Sequence, residues 1–261
     1  MKLSCQEGMV PGETLAEKLE NLARYGYEGV EFGGGGLAER KKEILKATKQ
    51  SGMQVSTICS GFRGVPLSVR KEERDLAVED IKRLLELSAE LSAVGLIFVP
   101  IFGPPQLPDL SPYKTSLELE RELLLALLDE LSRHAEQAGS VLLLEPLNRY
   151  ETHFIRTLAQ AVEYAETIGS AGLKIMADFF HMAIEERDIA ASIREAGDWI
   201  YHVHLADSTR LLPGYGHTDF KAGFDSLKSF GYDQYMAMEC GIPGDPTEEL
   251  PRSAEYLRPF I

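Results

Sequence analysis

Four side chains with metal-binding chemistry stand at the ends of four apolar segments in the second half of the chain: Glu145, Asp178, His204 and Glu239. An ionised carboxylate beside a buried segment is unfavourable unless a cation compensates its charge. Three carboxylates and one imidazole, without a thiolate, suit Mn²⁺, Mg²⁺ or Co²⁺ and favour Zn²⁺ less. If the fold brings these residues together, the sequence predicts a site for one divalent metal ion.

Each of these residues ends a predicted strand, and strands alternate with amphipathic helices along the whole chain. In 13–25, for example, apolar residues recur at helical spacing and Gly26 follows as a stop. The predicted strands are 1–6, 27–32, 53–59, 94–101, 142–144, 173–177, 200–205 and 234–238. The predicted helices are 13–25, 37–50, 69–91, 117–138, 158–168, 189–196, 224–230 and 248–256.

Strict alternation of strands and helices predicts an α/β protein with a parallel sheet. Eight such units in 261 residues, without a linker or a break in composition, indicate a closed (β/α)8 TIM barrel. We therefore expect a single domain over residues 1–261. Active sites of such barrels lie at the carboxyl ends of the strands, so the four metal-ligand candidates are expected to converge there.

Charge and composition exclude several classes of protein. The formal net charge of −14 argues against nucleic-acid binding, which depends on clustered Lys and Arg. The longest apolar run, 93–102, is too short to span a bilayer, and the amino terminus lacks an apolar signal region. Cys5, Cys59 and Cys240 form no C-x-x-C pair, so reduced thiols are expected. We expect a cytoplasmic protein without nucleic-acid or membrane partners.

Three further histidines lie outside the predicted ligand set. His202 precedes His204 by two positions on the same strand face, which predicts a deeper place in the barrel, in the core or in support of the site. His217 lies in a loop, where it either closes over the site or orders the loop. For His153 the sequence gives no role.

Motifs at these strand ends resemble those of a known family. They are Glu-Pro-Leu-Asn-Arg-Tyr-Glu at 145–151, Asp-Phe-Phe-His-Met at 178–182, His-x-x-Asp-Ser-x-Arg at 204–210 and the strand-ending Glu239. In this order they are similar to the ketose 3-epimerases, the D-tagatose and D-psicose (allulose) 3-epimerase group of the xylose isomerase-like TIM barrels. The resemblance covers most of the second half of the chain and, more loosely, the whole βα pattern.

The resemblance implies a role for each motif residue. The four metal-ligand candidates would hold one Mn²⁺-like ion, and Glu145 and Glu239 would also be the acid and base on opposite faces of the substrate carbon. Glu151, His181 and Arg210 would hydrogen-bond the carbonyl end of a sugar. The resemblance also implies a small-molecule sugar substrate and a homodimer or homotetramer, although no segment of the sequence indicates an interface.

This chemistry agrees with the residue types. Removal of a proton beside a ketone requires stabilisation of an enediolate, which a divalent ion that chelates the carbonyl and the adjacent hydroxyl provides. Inversion requires one carboxylate to remove the proton and a second to return it from the other face. We predict metal-dependent epimerisation at C3 of a free ketose or keto-sugar acid through a cis-enediolate, with Glu145 and Glu239 as the two glutamates.

Three alternatives differ from this prediction in testable ways. An aldose–ketose isomerase of the hydroxypyruvate isomerase type would return the proton to the adjacent carbon with the same residues. A DNA-repair endonuclease of the same superfamily would need a three-zinc cluster and a basic face, which six histidines and a charge of −14 disfavour. A non-catalytic barrel would lack metal ligands.

Arg63, after the third strand, either meets a carboxylate on an acidic sugar or is an ordinary exposed loop residue.

Overall fold

Strands and helices alternate along the whole chain, which the computed structural model describes from residue 1 to residue 261. The strands are β1 (Lys2–Gln6), β2 (Gly29–Gly33), β3 (Gln54–Cys59), β4 (Leu96–Phe98), β5 (Leu142–Leu144), β6 (Leu173–Asp178), β7 (Ile200–Leu205) and β8 (Tyr235–Met238). The helices are α1 (Leu15–Tyr25), α2 (Leu37–Ser51), α3 (Lys71–Glu90), α4 (Ser116–Ala138), α5 (Leu158–Ile168), α6 (Phe179–Glu185), α7 (Ile189–Ala196), α8 (Phe220–Ser229) and α9 (Pro246–Leu257). None of these helices is both long and apolar enough to span a membrane.

All eight strands are parallel and follow one another in chain order around a closed barrel. The barrel closes where β1 pairs with β8, with Lys2 opposite Tyr235 and Cys5 opposite Met238. The predicted closed (β/α)8 TIM barrel is therefore confirmed.

One helix was not predicted. Helix α6 directly follows β6, and Asp178 caps it by accepting hydrogen bonds from the backbone N–H groups of Phe180 at 2.7 Å and His181 at 3.2 Å. Its seven residues span about two turns, which is too short for an apolar periodicity to be recognised. The structure therefore has nine α-helices rather than eight.

Caps encoded in the sequence determine where several helices begin and end. Thr14 and Glu17 form a capping box at the start of α1, and Thr115 and Glu118 form another at the start of α4. Gly139 ends α4 with a φ of 74°, in the left-handed region that favours glycine. Because α4 ends sharply there, the chain enters β5 after a short turn.

The barrel interior is apolar on one side and polar on the other. Ile97, Leu143 and Met176, from β4 to β6, form a buried apolar cluster separate from the main core. The buried polar side chains on the remaining strands are Ser4, Glu31, Ser56, Thr57, His202 and His204. Buried polar groups require hydrogen-bond partners, so the interior on this side is built as a hydrogen-bonded network.

The loops after β4 and β5 are joined to each other. Gly103 forms a parallel bridge with Thr152, and its N–H donates to the carbonyl of Glu151 at 2.7 Å. The ring of His153 lies between the carbonyl of Gly103, at 2.7 Å, and the buried carboxylate of Glu120, at 2.6 Å. His153 therefore anchors this pair of loops, and the anchor helps to hold Glu151 in place.

Candidate metal centre and substrate site

The four predicted metal ligands meet at the carboxyl ends of β5 to β8. Their ligand atoms all lie within 4.8 Å of one another. Nδ1 of His204 is the common neighbour of the three carboxylates, which lie 3.2 Å away in Glu239, 3.7 Å away in Asp178 and 4.0 Å away in Glu145. The structure therefore brings together the residues that the sequence placed at the strand ends.

Backbone contacts at the barrel edge fix the directions of these side chains. The N–H of Glu145 donates to the carbonyl of Phe98 at 3.0 Å, and the N–H of Glu239 donates to the carbonyl of Leu205 at 3.3 Å. In Asp178, Oδ1 is occupied as the cap of α6, while Oδ2 faces the cluster. One oxygen of Asp178 thus orders the helix and the other is available as a ligand.

The chemistry of the cluster fits a cation. Nδ1 of His204 is buried and makes no hydrogen bond. Burial raises the pKa of Glu145 well above its usual value, and the negative charges of Glu239 and Asp178 raise it further against the opposing influence of His204. Carboxylates in mutual repulsion around an unpartnered imidazole nitrogen suit a hard divalent ion. The residues present therefore fit the predicted metal.

The predicted substrate residues Glu151 and Arg210 are paired with each other. Nη1 of Arg210 lies 2.6 Å from Oε1 of Glu151, and the guanidinium lies over the ring of Phe180, 4.7 Å from its centroid. The backbone of Arg210 has a φ of 57°, which is uncommon for a residue with a side chain, in a turn closed by its N–H to the carbonyl of Asp207 at 2.8 Å. The turn, the ion pair and the stacking together orient the guanidinium.

His181 adjoins the cluster of candidate metal ligands, and Asn148, a residue without a predicted role, holds it there. Nε2 of His181 lies 3.8 Å from Oδ2 of Asp178, while Nδ1 contacts both the backbone and the side chain of Asn148. The side chain of Asn148 also donates to Glu151 at 3.0 Å. Asn148 thus links two of the three predicted substrate residues.

Glu31, on β2, is a second residue that the sequence did not single out. It is fully buried and lies 3.0 Å from Nε2 of His202, 3.1 Å from Nε2 of His204 and 2.5 Å from Oγ1 of Thr57. Burial alone would raise the pKa of Glu31, but His204 and His202 outweigh it and lower that pKa well below its usual value. A single acid within an otherwise apolar strand was the signal that could have identified it. His202 occupies the deeper, supporting place that its spacing predicted.

Arg63 and His217, two loop residues whose roles the sequence left open, make their contacts outside the cluster of candidate ligands. Arg63 forms a two-pronged ion pair with Asp80 of α3, at 2.7 and 2.8 Å, and its side chain is 65% exposed. It therefore matches the ordinary exposed loop residue rather than a free anchor for an acidic sugar.

His217 is exposed, and its N–H donates to the hydroxyl of Ser208 at 3.1 Å. The carboxylate of Asp207, which accepts several backbone N–H groups, orders this loop.

A closed parallel barrel with a cluster of candidate metal ligands at the carboxyl ends of its strands has the architecture of a TIM-barrel active site. The family model of the xylose isomerase-like TIM barrel matches residues 19–260. The chain belongs to this family, as its motifs predicted.

Curated relatives of the chain are epimerases. The 3-dehydro-D-guloside 4-epimerase of Escherichia coli (strain K12) is 33% identical over 261 residues, which are 99% of this chain and 99% of the relative. A D-psicose 3-epimerase of Enterocloster bolteae is 42% identical over 112 residues, which are 43% of this chain and 37% of the relative. The prediction of an isomerase acting on carbohydrates is confirmed by these relatives.

Solved structures show the same architecture. The apo form of a 3-keto-D-glucoside 4-epimerase from E. coli superposes with a TM-score of 0.91 at 33% identity and covers 99% of both chains. A D-psicose 3-epimerase studied in the presence of D-fructose superposes with a TM-score of 0.83 at 20% identity, over 99% of this chain and 98% of the other. The second likeness concerns the fold alone.

Proposed function

We propose that this protein is a metal-dependent sugar epimerase that inverts a carbon beside a ketone. The observation that carries the proposal is the placement of two glutamates around Nδ1 of His204, with Glu145 at 4.0 Å and Glu239 at 3.2 Å. The two glutamates follow β5 and β8, which are not neighbouring strands. Carboxylates from separated strands can flank a substrate carbon on both faces, which two neighbours could not do.

The same cluster would hold the metal ion. Its ligands would be Glu145, Asp178, His204 and Glu239. Mn²⁺ is our first choice, with Mg²⁺ or Co²⁺ as alternatives and Zn²⁺ less favoured by this ligand set. When bound, the ion would stabilise negative charge on the carbonyl and adjacent hydroxyl oxygens of the substrate. The unpartnered Nδ1 of His204 supports this assignment.

The two glutamates would divide the proton transfer between them. One carboxylate removes the proton from the carbon beside the ketone, which leaves a cis-enediolate, and the other delivers a proton to the opposite face. His181 and Arg210 would donate hydrogen bonds to the carbonyl end of the sugar. Glu151 would act both on the substrate and through its ion pair with Arg210, which holds the guanidinium at 2.6 Å.

Two classes of substrate fit this chemistry. Epimerisation at C3 of a free ketose agrees with the motifs and with the partial matches to D-psicose 3-epimerases. Epimerisation at C4 of a 3-keto-glycoside agrees with the E. coli relative, which matches over 99% of both chains. In both cases the reacting carbon bears a hydroxyl and adjoins the ketone, so the same residues would serve. The full-length match favours the keto-glycoside, and the pairing of Arg63 with Asp80 removes the reason for an acidic sugar.

An aldose–ketose isomerase of the hydroxypyruvate isomerase type is the alternative reaction. It would use the same glutamates but return the proton to the adjacent carbon. Its product would therefore differ in the position of the carbonyl rather than in the configuration of one carbon.

The product of the reaction in D₂O distinguishes these possibilities. Mn²⁺-loaded protein is incubated separately with a methyl 3-keto-glucoside, with D-psicose and with D-tagatose, and the products are identified by NMR. Deuterium at C4 of the epimerised glycoside assigns the keto-glycoside, and deuterium at C3 of an epimerised ketose assigns the free ketose. Formation of an aldose identifies the isomerase. If the protein exchanges no proton in all three keto-sugars, the proposed function is contradicted.

A further inference from the structure

Glu31 reaches across the barrel interior to a proposed metal ligand. It lies on β2, whereas His204 lies on β7, and these strands are not neighbours. Both carboxylate oxygens are 3.1 Å from Nε2 of His204, while Nδ1 of the same ring faces the other candidate metal ligands. We propose that Glu31 is a positioning residue that fixes the orientation and the tautomer of His204, so that Nδ1 is presented to the metal. This inference rests on the metal site of the proposed function.

The tautomer follows from the hydrogen-bonding capacity of the two groups. An ionised carboxylate only accepts hydrogen bonds, so Nε2 of His204 must carry the hydrogen that it shares with Glu31. An imidazole that ligates a metal is neutral and has one N–H, so Nδ1 would be left with its lone pair for the ion. That atom is the buried nitrogen without a hydrogen-bond partner. A carboxylate bound to the far nitrogen of a metal-ligating histidine also makes the ring a stronger ligand.

Glu31 is itself contacted by donors from three other strands. The donors besides His204 are Thr57 at 2.5 Å, His202 at 3.0 Å and Gln6 at 3.0 Å. The oxygens of Glu31 are fully used by these contacts. For this reason we do not interpret Glu31, Cys59 and His204, whose ligand atoms also lie within 4.8 Å of one another, as a second metal site.

The network continues to a proposed catalytic residue. The side-chain amide of Gln6 donates to Oε1 of Glu31 and to Oε1 of Glu239, both at 3.0 Å. The other oxygen of Glu239, Oε2, is the one that lies 3.2 Å from Nδ1 of His204. Gln6 therefore keeps Oε2 of Glu239 turned toward the other candidate ligands. Glu31 thus helps to position two of them, His204 by direct contact and Glu239 through Gln6.

The chain contains a matched control for this carboxylate–histidine pair. Glu120 is also fully buried and contacts a histidine, His153, at 2.6 Å, but this pair anchors the loops after β4 and β5 and is not part of the ligand cluster. Glu120→Gln therefore reproduces the loss of a buried charge beside a histidine without changing the tautomer of a ligand.

The affinity for Mn²⁺ tests the proposal without reference to catalysis. Free Mn²⁺ is measured by electron paramagnetic resonance during titration of wild type, Glu31→Gln and Glu120→Gln. We expect Glu31→Gln to bind Mn²⁺ about 10- to 100-fold more weakly, as is typical when the carboxylate behind a ligating histidine is removed. Glu120→Gln should bind as wild type does. A folded Glu31→Gln variant with wild-type affinity overturns the proposal.

The tautomer can also be measured in the wild-type protein, which keeps the proposal testable if Glu31→Gln does not fold. In protein labelled with ¹⁵N-histidine and loaded with diamagnetic Zn²⁺, His204 should show a protonated Nε2 and a metal-bound Nδ1. The signal is assigned by its loss in His204→Gln. A protonated Nδ1 overturns the proposal. Absence of Mn²⁺ and Zn²⁺ binding by wild type would instead overturn the metal site of the proposed function, and this inference with it.

Discussion

Asn148 donates twice to the same nitrogen of His181. Its backbone N–H lies 3.1 Å from Nδ1 and its side-chain amide lies 2.7 Å from that atom. The N–H of Tyr150 donates to Oδ1 of Asn148 at 2.9 Å, so the NH₂ group of the amide is the part that faces His181. Nδ1 is therefore an acceptor, and Nε2, on the side of the candidate metal ligands, carries the ring hydrogen in this tautomer. This arrangement suits the proposed donation by His181 to a substrate oxygen.

Replacing Asn148 by Asp should weaken catalysis without unfolding the protein. The carboxylate would face Nδ1 with an acceptor instead of a donor, which favours the wrong tautomer, and it would repel Glu151. We expect kcat/KM to fall about tenfold or more, because the loss of one hydrogen bond in the transition state has an effect of this size. Arg149→Ala is the neighbouring control, because the half-exposed side chain of Arg149 pairs with Glu185 at 2.7 Å and makes no hydrogen bond to His181 or Glu151. Wild-type kinetics in Asn148→Asp would contradict the proposed role of His181.

Glu145→Gln and Glu239→Gln should each slow epimerisation strongly while the barrel stays folded. Glutamine retains an oxygen that can ligate the metal but cannot accept or return the proton. We expect turnover to fall by about 10²- to 10⁴-fold in each variant, the usual contribution of a general acid or base. Proton exchange in D₂O, measured by NMR, reports the step directly, and Mn²⁺ binding is measured in parallel. Wild-type exchange in both variants would contradict the two-glutamate mechanism.

Removal of the metal should stop the reaction and lower the thermal stability. Chelation leaves buried carboxylates in mutual repulsion, the interaction that contributes to the raised pKa of Glu145. At a free Mn²⁺ concentration about 100 times Kd, binding stabilises the folded state by about 2.7 kcal/mol. For a chain of this size the melting temperature should then rise by roughly 5–10 °C above that of the chelated protein. An equal rise in Asp178→Asn would show that the ion binds elsewhere.

Arg63→Ala should affect stability in a pH-dependent way and leave substrate binding unchanged. Hydrogen bonding to Arg63 lowers the pKa of Asp80 from 3.8 to about 2. Because the folded-state pKa is the lower one, the pair stabilises the protein above the unfolded value and loses this effect as pH falls toward 2. Urea denaturation should therefore show a small destabilisation at pH 7 that shrinks below pH ~4. A raised KM for an acidic keto-sugar would restore Arg63 as a substrate residue.

The ligand cluster was predictable because a parallel barrel brings the carboxyl ends of consecutive strands together. Glu145 and Asp178 follow apolar strands, and topology alone then makes them neighbours. Glu31 carries a similar signal, an acid in an apolar strand, but its meaning depends on a contact with β7 across the barrel interior. The pairing of Glu120 with His153 likewise depends on loop conformations that no periodicity encodes.

Arg210→Lys tests whether the substrate site needs a planar guanidinium or only a positive charge. Arg210 contacts Glu151 at 2.6 Å and lies over Phe180 at 4.7 Å, and its fork leaves further N–H groups for a substrate oxygen. An ammonium group that pairs with Glu151 could not keep both the stacking and the fixed direction of its donors. We therefore expect a fall of about tenfold in kcat/KM. Phe180→Leu, which removes only the stacking, should have a smaller effect in steady-state assays. Equal kinetics of wild type and Arg210→Lys would show that the site needs only the positive charge of Arg210.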